Sequence, residues 1–150
     1  MKFIKSILAV LCLSAGVASL TSCNDKIEVQ QIYDYALETM PVQSELLEGE
    51  TAEIRCKLIK SGYYEDAKFT IRYFQTEGYG VLKMDNGTIF SPNDSYSITH
   101  DNFKLFYTSH STDQQSIDIY VEDNFGQLQK YSFSWTNRTP EEDSNEYGAE

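Results

Sequence analysis

From Thr51 to Trp135 the chain alternates apolar and polar residues with a period of two, and no stretch of any length shows a helical period. "TAEIRCKLI" (51–59) sets Ile54, Cys56 and Leu58 against Glu53, Arg55 and Lys57. "AKFTIRYF" (67–74) sets Phe69, Ile71 and Tyr73 against Lys68, Thr70 and Arg72. "FKLFYT" (103–108) turns Phe103, Leu105 and Tyr107 inward, and "SIDIYVE" (116–122) does the same with Ile117, Ile119 and Val121. In "QLQKYSFSW" (127–135), Tyr131, Phe133 and Trp135 share a face. Before these, "YALET" starts a strand ahead of Pro41. "VLKMDNGTIF" (81–90) predicts two short strands around Asn86-Gly87, a strong hairpin signal. About seven or eight short strands with turn residues at near-regular spacing predict an all-β protein, an antiparallel immunoglobulin-like β-sandwich. A small barrel is the alternative. No internal repeat points to a solenoid or propeller.

The pattern assigns residues 32–135 to this domain and leaves both ends outside it. Residues 1–22 combine Lys2 and Lys5 with a short apolar run from Ile7 to Leu13 and then small residues, the plan of a secretory signal too short to span a bilayer. Its ending, "LTSC", resembles a bacterial lipobox, with Leu20 three positions before Cys23. That resemblance implies cleavage before Cys23 and lipidation of Cys23. Several acyl chains, each buried methylene contributing about 0.8 kcal/mol, would then make attachment to the membrane effectively permanent. Plain secretion with Cys23 as a free thiol is the alternative, and it leaves a Cys directly after the small-residue site without a purpose. Residues 23–31 read as a polar, lipidated tether. Residues 136–150 hold five acids, one Arg and almost nothing apolar, and read as an acidic disordered tail that buries too little to offset its ordering entropy.

Charge narrows the partners. The whole chain carries −11, and losing residues 1–22 removes two Lys and no acid, which leaves −13. With no basic run or stripe, direct nucleic-acid binding is not expected. Of the three Cys, Cys12 leaves with the signal and Cys23 takes the lipid, so Cys56 is single and no intrachain disulfide can form. Its place among Ile54 and Leu58 makes it a buried structural thiol.

The stretch "SHSTDQQSIDIYVEDNFG" (109–126) concentrates one His and four carboxylates. Alternation accounts for most of it: Asp118, Tyr120 and Glu122 occupy the solvent side of a half-buried strand. Asp123, Asn124 and Gly126 are turn formers, and Thr112 to Gln115 a polar loop. His100 and His110 fit no zinc or triad pattern and read as loop histidines. A calcium site from Asp85, Asn86 and Asp94, or from Asp113, Asp123 and Asn124, lacks the spacing of an EF-hand and competes with the demands of turns. The reading is therefore of a non-enzymatic protein with no catalytic residue, metal or cofactor.

The chain is rich in aromatics, with 11 Tyr, 8 Phe and 1 Trp. Most fall on core faces, but Phe74, Phe106 and Tyr120 fall on the opposite faces of their strands. In an immunoglobulin-like sandwich the strands at 67–74 and 116–122 lie side by side. Phe74 and Tyr120 are then expected on one outer face with Arg72 and Asp118 near them, as a partner-binding patch; the alternative is that these aromatics pack under loops or against each other on a half-covered sheet.

Three stretches, "ETMPVQSELLEGETAEIRCKL", "KFTIRYFQTEGYGVLKMDNGTIFSPND" and "FKLFYTSHSTDQQSIDIYVEDNFGQL", resemble the TraQ-type lipoproteins of Bacteroides conjugative transposons. They cover most of residues 38–128, and the block from Tyr107 to Gln127 is the most specific. The resemblance implies a lipid-anchored, immunoglobulin-like domain of the cell envelope, encoded with a conjugal transfer apparatus. Its expected partners are the membrane, through Cys23, and protein components of that apparatus. The resemblance brings no catalytic motif. A competing reading is a surface lipoprotein that binds glycan or another extracellular ligand. That reading favours exposed Trp or Tyr platforms, whereas Trp135 is expected in the core.

Overall fold

A computed structural model describes residues 32–138. The leader 1–22, Cys23 with the tether 23–31, and the tail from residue 139 lie outside the described residues. Nine strands form two sheets. They are β1 (Tyr35–Thr39), β2 (Glu45–Leu46), β3 (Thr51–Lys60), β4 (Phe69–Glu77), β5 (Gly80–Met84), β6 (Tyr96–Ile98), β7 (Asn102–Ser109), β8 (Gln115–Asp123) and β9 (Leu128–Asn137). One sheet has the order β1-β3-β7-β5 and the other β2-β9-β8-β4-β6. The two sheets face one another, and the layout follows the immunoglobulin division into an ABED and a CFG sheet. β5 holds the fourth place of the first sheet, while β2 and β6 extend the edges of the second.

The inward faces are those the alternation gives. Ile54, Cys56 and Leu58 of β3, Ile71 and Tyr73 of β4, Phe103, Leu105 and Tyr107 of β7, and Ile117, Ile119 and Val121 of β8 are all buried. Trp135 is 1% exposed and stacks on Tyr107 with ring centroids 4.6 Å apart and an interplanar angle of 4°. Full burial of each large aliphatic side chain contributes roughly 1.5–3 kcal/mol, so a core drawn from both sheets can hold the sandwich without a disulfide.

Three expectations need correction. The sandwich is not wholly antiparallel, because β2 pairs with β9 in parallel through Glu45↔Thr136 and Leu46↔Asn137. Leu46 is fully buried, and covering it requires the chain after Pro41 to return beside the end of β9. For the same reason β9 runs two residues past the boundary placed at Trp135, and Arg138 is held by its N–H on the Leu46 carbonyl and by Glu50. The third concerns the 81–90 hairpin. Its turn forms, with Gly87 at φ +89° donating its N–H to Met84 O at 2.9 Å and Asn86 Oδ1 accepting from Thr88 N. That left-handed φ is what a Gly after Asn supplies at no steric cost. The returning arm, however, is reduced to one bridge, Lys83↔Ile89, because Phe90 then turns into the core.

Candidate interaction face

β4 and β8 pair antiparallel, with Arg72 opposite Tyr120 and Phe74 opposite Asp118. β9 lies beyond β8 and places Lys130 opposite Tyr120 and Ser132 opposite Asp118. Strand alternation sends all six side chains to the outer face of the five-stranded sheet. The four residues singled out from the sequence are thus brought together. Phe74 and Tyr120 meet edge to face, with centroids 5.5 Å apart and planes at 84°. Such pairs contribute roughly 0.5–1.5 kcal/mol beyond their buried area. Both rings are half-buried, because each covers part of the other, so they are less solvated than lone outward aromatics would be.

Charged groups frame the rings. Arg72 Cζ and Lys130 Nζ each lie 5.8 Å from the Tyr120 ring centre. Lys130 Nζ reaches Asp118 Oδ2 at 2.8 Å, and Ser132 Oγ donates to Asp118 Oδ1 at 2.6 Å. The Lys130 ammonium first, and the Ser132 hydroxyl after it, hold the Asp118 carboxyl below its usual range. Asp118 in turn raises Lys130. Arg72 makes a looser pair with Glu122, 3.8 Å away, and its Nε has no hydrogen-bond partner among the described residues. An aromatic pair with fixed charges around it offers a partner apolar contact area and a preferred orientation. Lys130, Ser132 and Glu122 belong to this face although the sequence did not single them out. Alternation in "QLQKYSFSW" gives the parity of Lys130 and Ser132, but their pairing with Asp118 depends on a register that only the 123–128 turn sets. Phe106, the third outward aromatic, is half-buried on the opposite outer face, in β7.

The other candidate groups are used by the fold. Asp123 is buried, and its carboxylate accepts from Phe125 N (3.0 Å), Gln127 N (2.7 Å) and Gln127 Nε2 (2.7 Å), closing the β8–β9 turn. Asn124 Oδ1 accepts from Lys68 N, and Asp85 Oδ2 from Lys104 N. Among the described residues, no three His, Cys, Asp or Glu side chains gather as a metal site. His100 and His110 are exposed; His100 Nδ1 lies 2.9 Å from Thr99 Oγ1, and the His110 ring lies against Tyr79. Burial pushes the Cys56 thiol up to about 12.

Gln115 corrects the loop reading of 112–115, since it opens β8 and is fully buried. Its Oε1 accepts from Tyr107 Oη at 2.9 Å, and its Nε2 donates to Ser109 Oγ at 2.8 Å. Gln75 Nε2 donates to the same Tyr107 oxygen at 2.9 Å. No local signal marks Gln115 as buried, because its partners belong to other strands.

The family model for the TraQ conjugal transfer protein matches residues 6–138, wider than the 38–128 resemblance. A conjugative transposon lipoprotein from Bacteroides eggerthii is 42% identical over 69% of this chain and 98% of its own, with a TM-score of 0.66. A lipoprotein from Bacteroides thetaiotaomicron is 49% identical over 85% of this chain and 98% of its own, also at 0.66. A conjugate transposon protein from Bacteroides vulgatus is 40% identical over 78% and 95%, at 0.64. No curated protein matches the chain. With a family model spanning most of its length and three solved relatives at 40–49% identity, the chain belongs to the TraQ conjugal transfer protein family.

Proposed function

We propose that this chain is a non-enzymatic, lipid-anchored component of a conjugative transposon's transfer apparatus. Cys23 carries the lipid, residues 23–31 are the tether, and the outer face around Phe74 and Tyr120 receives a protein of the same apparatus. The observation that carries the partner surface is the contact of Phe74 with Tyr120 within a frame of Arg72, Asp118 and Lys130. Membership of a conjugal transfer family and two relatives described as lipoproteins support the location and the process. The glycan-binding alternative has lost its one Trp, which is in the core.

The test is a mating assay with donor cells that carry the element. Phe74→Ala with Tyr120→Ala should lower transfer frequency by at least tenfold, while the protein stays in the membrane fraction and still melts cooperatively. Because the rings pack on each other, a loss of roughly 1 kcal/mol of stability is expected. Normal transfer by a folded, membrane-bound double variant removes the face from consideration. Cys23→Ala should leave the precursor uncleaved or move the protein out of the membrane fraction. A variant that is processed and still membrane-bound would refute the anchor.

A further inference from the structure

A strand edge that nothing covers is an open row of hydrogen-bonding groups, and most edges of this sandwich are closed or short. At β1, the Leu37 N–H donates to Tyr131 Oη at 2.7 Å. β5 is covered by its returning arm, since Phe90 N donates to Leu82 O and Met84 N to Thr88 O. β2 and β6 have only two and three residues. β9 is different. It has ten residues, pairs with β8 without a register shift, and meets β2 only at Thr136 and Asn137. The odd positions of this stretch bond to β8, as Gln127 O does in accepting from Asp123 N. The even positions point the other way, as Thr136 N does in donating to Ser44 O. The N–H and C=O groups of Leu128, Lys130, Ser132 and Ser134 therefore face an open edge. None of them has a hydrogen-bond partner among the described residues, and all four residues are exposed.

The two sides of this edge define what fits it. On the outer side, Lys130 is the one charged residue of β9, and its ammonium keeps N–H donors beyond the one given to Asp118. On the inner side, a groove of about 360 Å³ lies between residues 132–135 and the crossover 39–44, with Met40, Val42 and Phe133 in its lining. Met40 is 62% exposed, so this apolar side is not filled by the fold. Peptide groups that repeat about every 6.8 Å along an edge are matched by another extended backbone, whose side chains fall alternately on the two sides. We infer that the β9 edge over residues 128–134 takes up an extended segment of another protein as an added strand. Its apolar side chains lie on the Met40–Phe133 side and its acidic ones beside Lys130. A second copy of the chain fits less well. β9 contains no acid to meet Lys130, and residues 32–138 hold sixteen acids against nine bases, so two domains repel. The backbone of β9 makes this contact, which therefore stands apart from the face of Phe74 and Tyr120.

The test follows amide hydrogen exchange in chain 24–150, which keeps the whole described domain, with a blocked heptapeptide of alternating Val and Glu as the probe. In the free chain, amides of Leu128, Lys130, Ser132 and Ser134 should exchange as unprotected groups, while those of Gln129, Tyr131 and Phe133 are protected by the β8 ladder. The peptide at about 1 mM should slow the four open amides by roughly threefold or more. It should also shift the emission of Trp135, the single Trp, which lines the groove. The same peptide with every amide N-methylated keeps its side chains and loses its ladder donors, and should do neither. A Val–Lys peptide should bind several times more weakly. Ser132→Pro removes an open-edge N–H and nothing from the β8 ladder, so the variant should fold and bind the peptide several times more weakly. Protection of the four amides in the free, dilute chain would overturn the inference, because the edge would already be covered. Protection that grows with protein concentration would assign the edge to a second copy. Failure of the Val–Glu peptide to slow exchange, or equal slowing by its N-methylated form, would equally end the proposal.

Discussion

Tyr107→Phe tests whether the buried polar network at one end of the core supports the fold. The Tyr107 hydroxyl lies 2.9 Å from Gln115 Oε1 and receives Gln75 Nε2 at 2.9 Å. In the variant the ring keeps its stack on Trp135. Gln75 Nε2 keeps the carbonyls of Glu77 at 2.6 Å and Ser116 at 3.1 Å. Gln115 Oε1 loses its donor, and Gln115 is fully buried. An unsatisfied buried acceptor costs about 1–3 kcal/mol, so a loss near 2 kcal/mol is expected. For a domain of about 100 residues that corresponds to a fall in Tm of roughly 8 °C or more. The protein contains one Trp, and Trp135 touches the mutated ring, so urea unfolding followed by its fluorescence reports on this region directly. Adding Gln115→Leu removes the stranded acceptor, and the double variant should be less destabilised than the sum of the single ones by about 1 kcal/mol. A Tyr107→Phe loss below about 0.5 kcal/mol, or strict additivity in the double variant, would refute this role.

Gly80→Ala should destabilise by roughly 1–3 kcal/mol in the same urea assay, by overpacking. A Cβ there would stand 2.4 Å from Tyr107 Cζ and 2.7 Å from the Thr108 carbonyl oxygen, and the stacked ring has little freedom to withdraw. Cys56 should resist thiol reagents at pH 8 in a folded chain lacking residues 1–23 and react fully in denaturant; reaction in the fold would show that the thiol is not buried as described. Burial pushes Cys56 up to about 12, and burial first, then the Asp123 carboxylate, pushes Tyr35 to the same level. Unfolded, both groups ionise from about pH 8.5 to 10. Their contribution is therefore fully present below about pH 8.5 and is lost as pH rises toward 12, since the unfolded chain releases protons that the fold retains. Urea unfolding between pH 8 and 11 should show this decline, and Cys56→Ala should flatten it.

Much of the fold was legible because a half-buried strand writes its two faces into alternate residues. β3, β4, β7 and β8 each bury the residues that alternation marks. β2 and β6 were not legible: with two and three residues they are too short to show a period. The parallel pairing of β2 with β9 rests on one buried Leu in "SELLEG", which no local rule distinguishes from a loop leucine. At the candidate interaction face, parity placed Phe74, Tyr120, Arg72 and Asp118 on one side, and the adjacency of β4 and β8 came from the fold class. The Lys130–Asp118–Ser132 contacts need the β8–β9 register, which depends on the Asp123 carboxylate gripping Phe125 and Gln127.

The stretch from Tyr107 to Gln127, on which the sequence resemblance rests most, acts mainly through architecture. Tyr107, Ser109 and Gln115 form the buried network, Ile117, Ile119 and Val121 fill the core, and Asp123 and Gln127 close the turn. Within it, Asp118, Tyr120 and Glu122 are the strand residues with charged or large side chains left on the outside. A family resemblance carried by this block reports a shared scaffold, and a role for it follows only from what the scaffold displays. Here the outer face of the five-stranded sheet displays a framed aromatic pair, Phe74 on Tyr120 with Arg72, Asp118 and Lys130 around it.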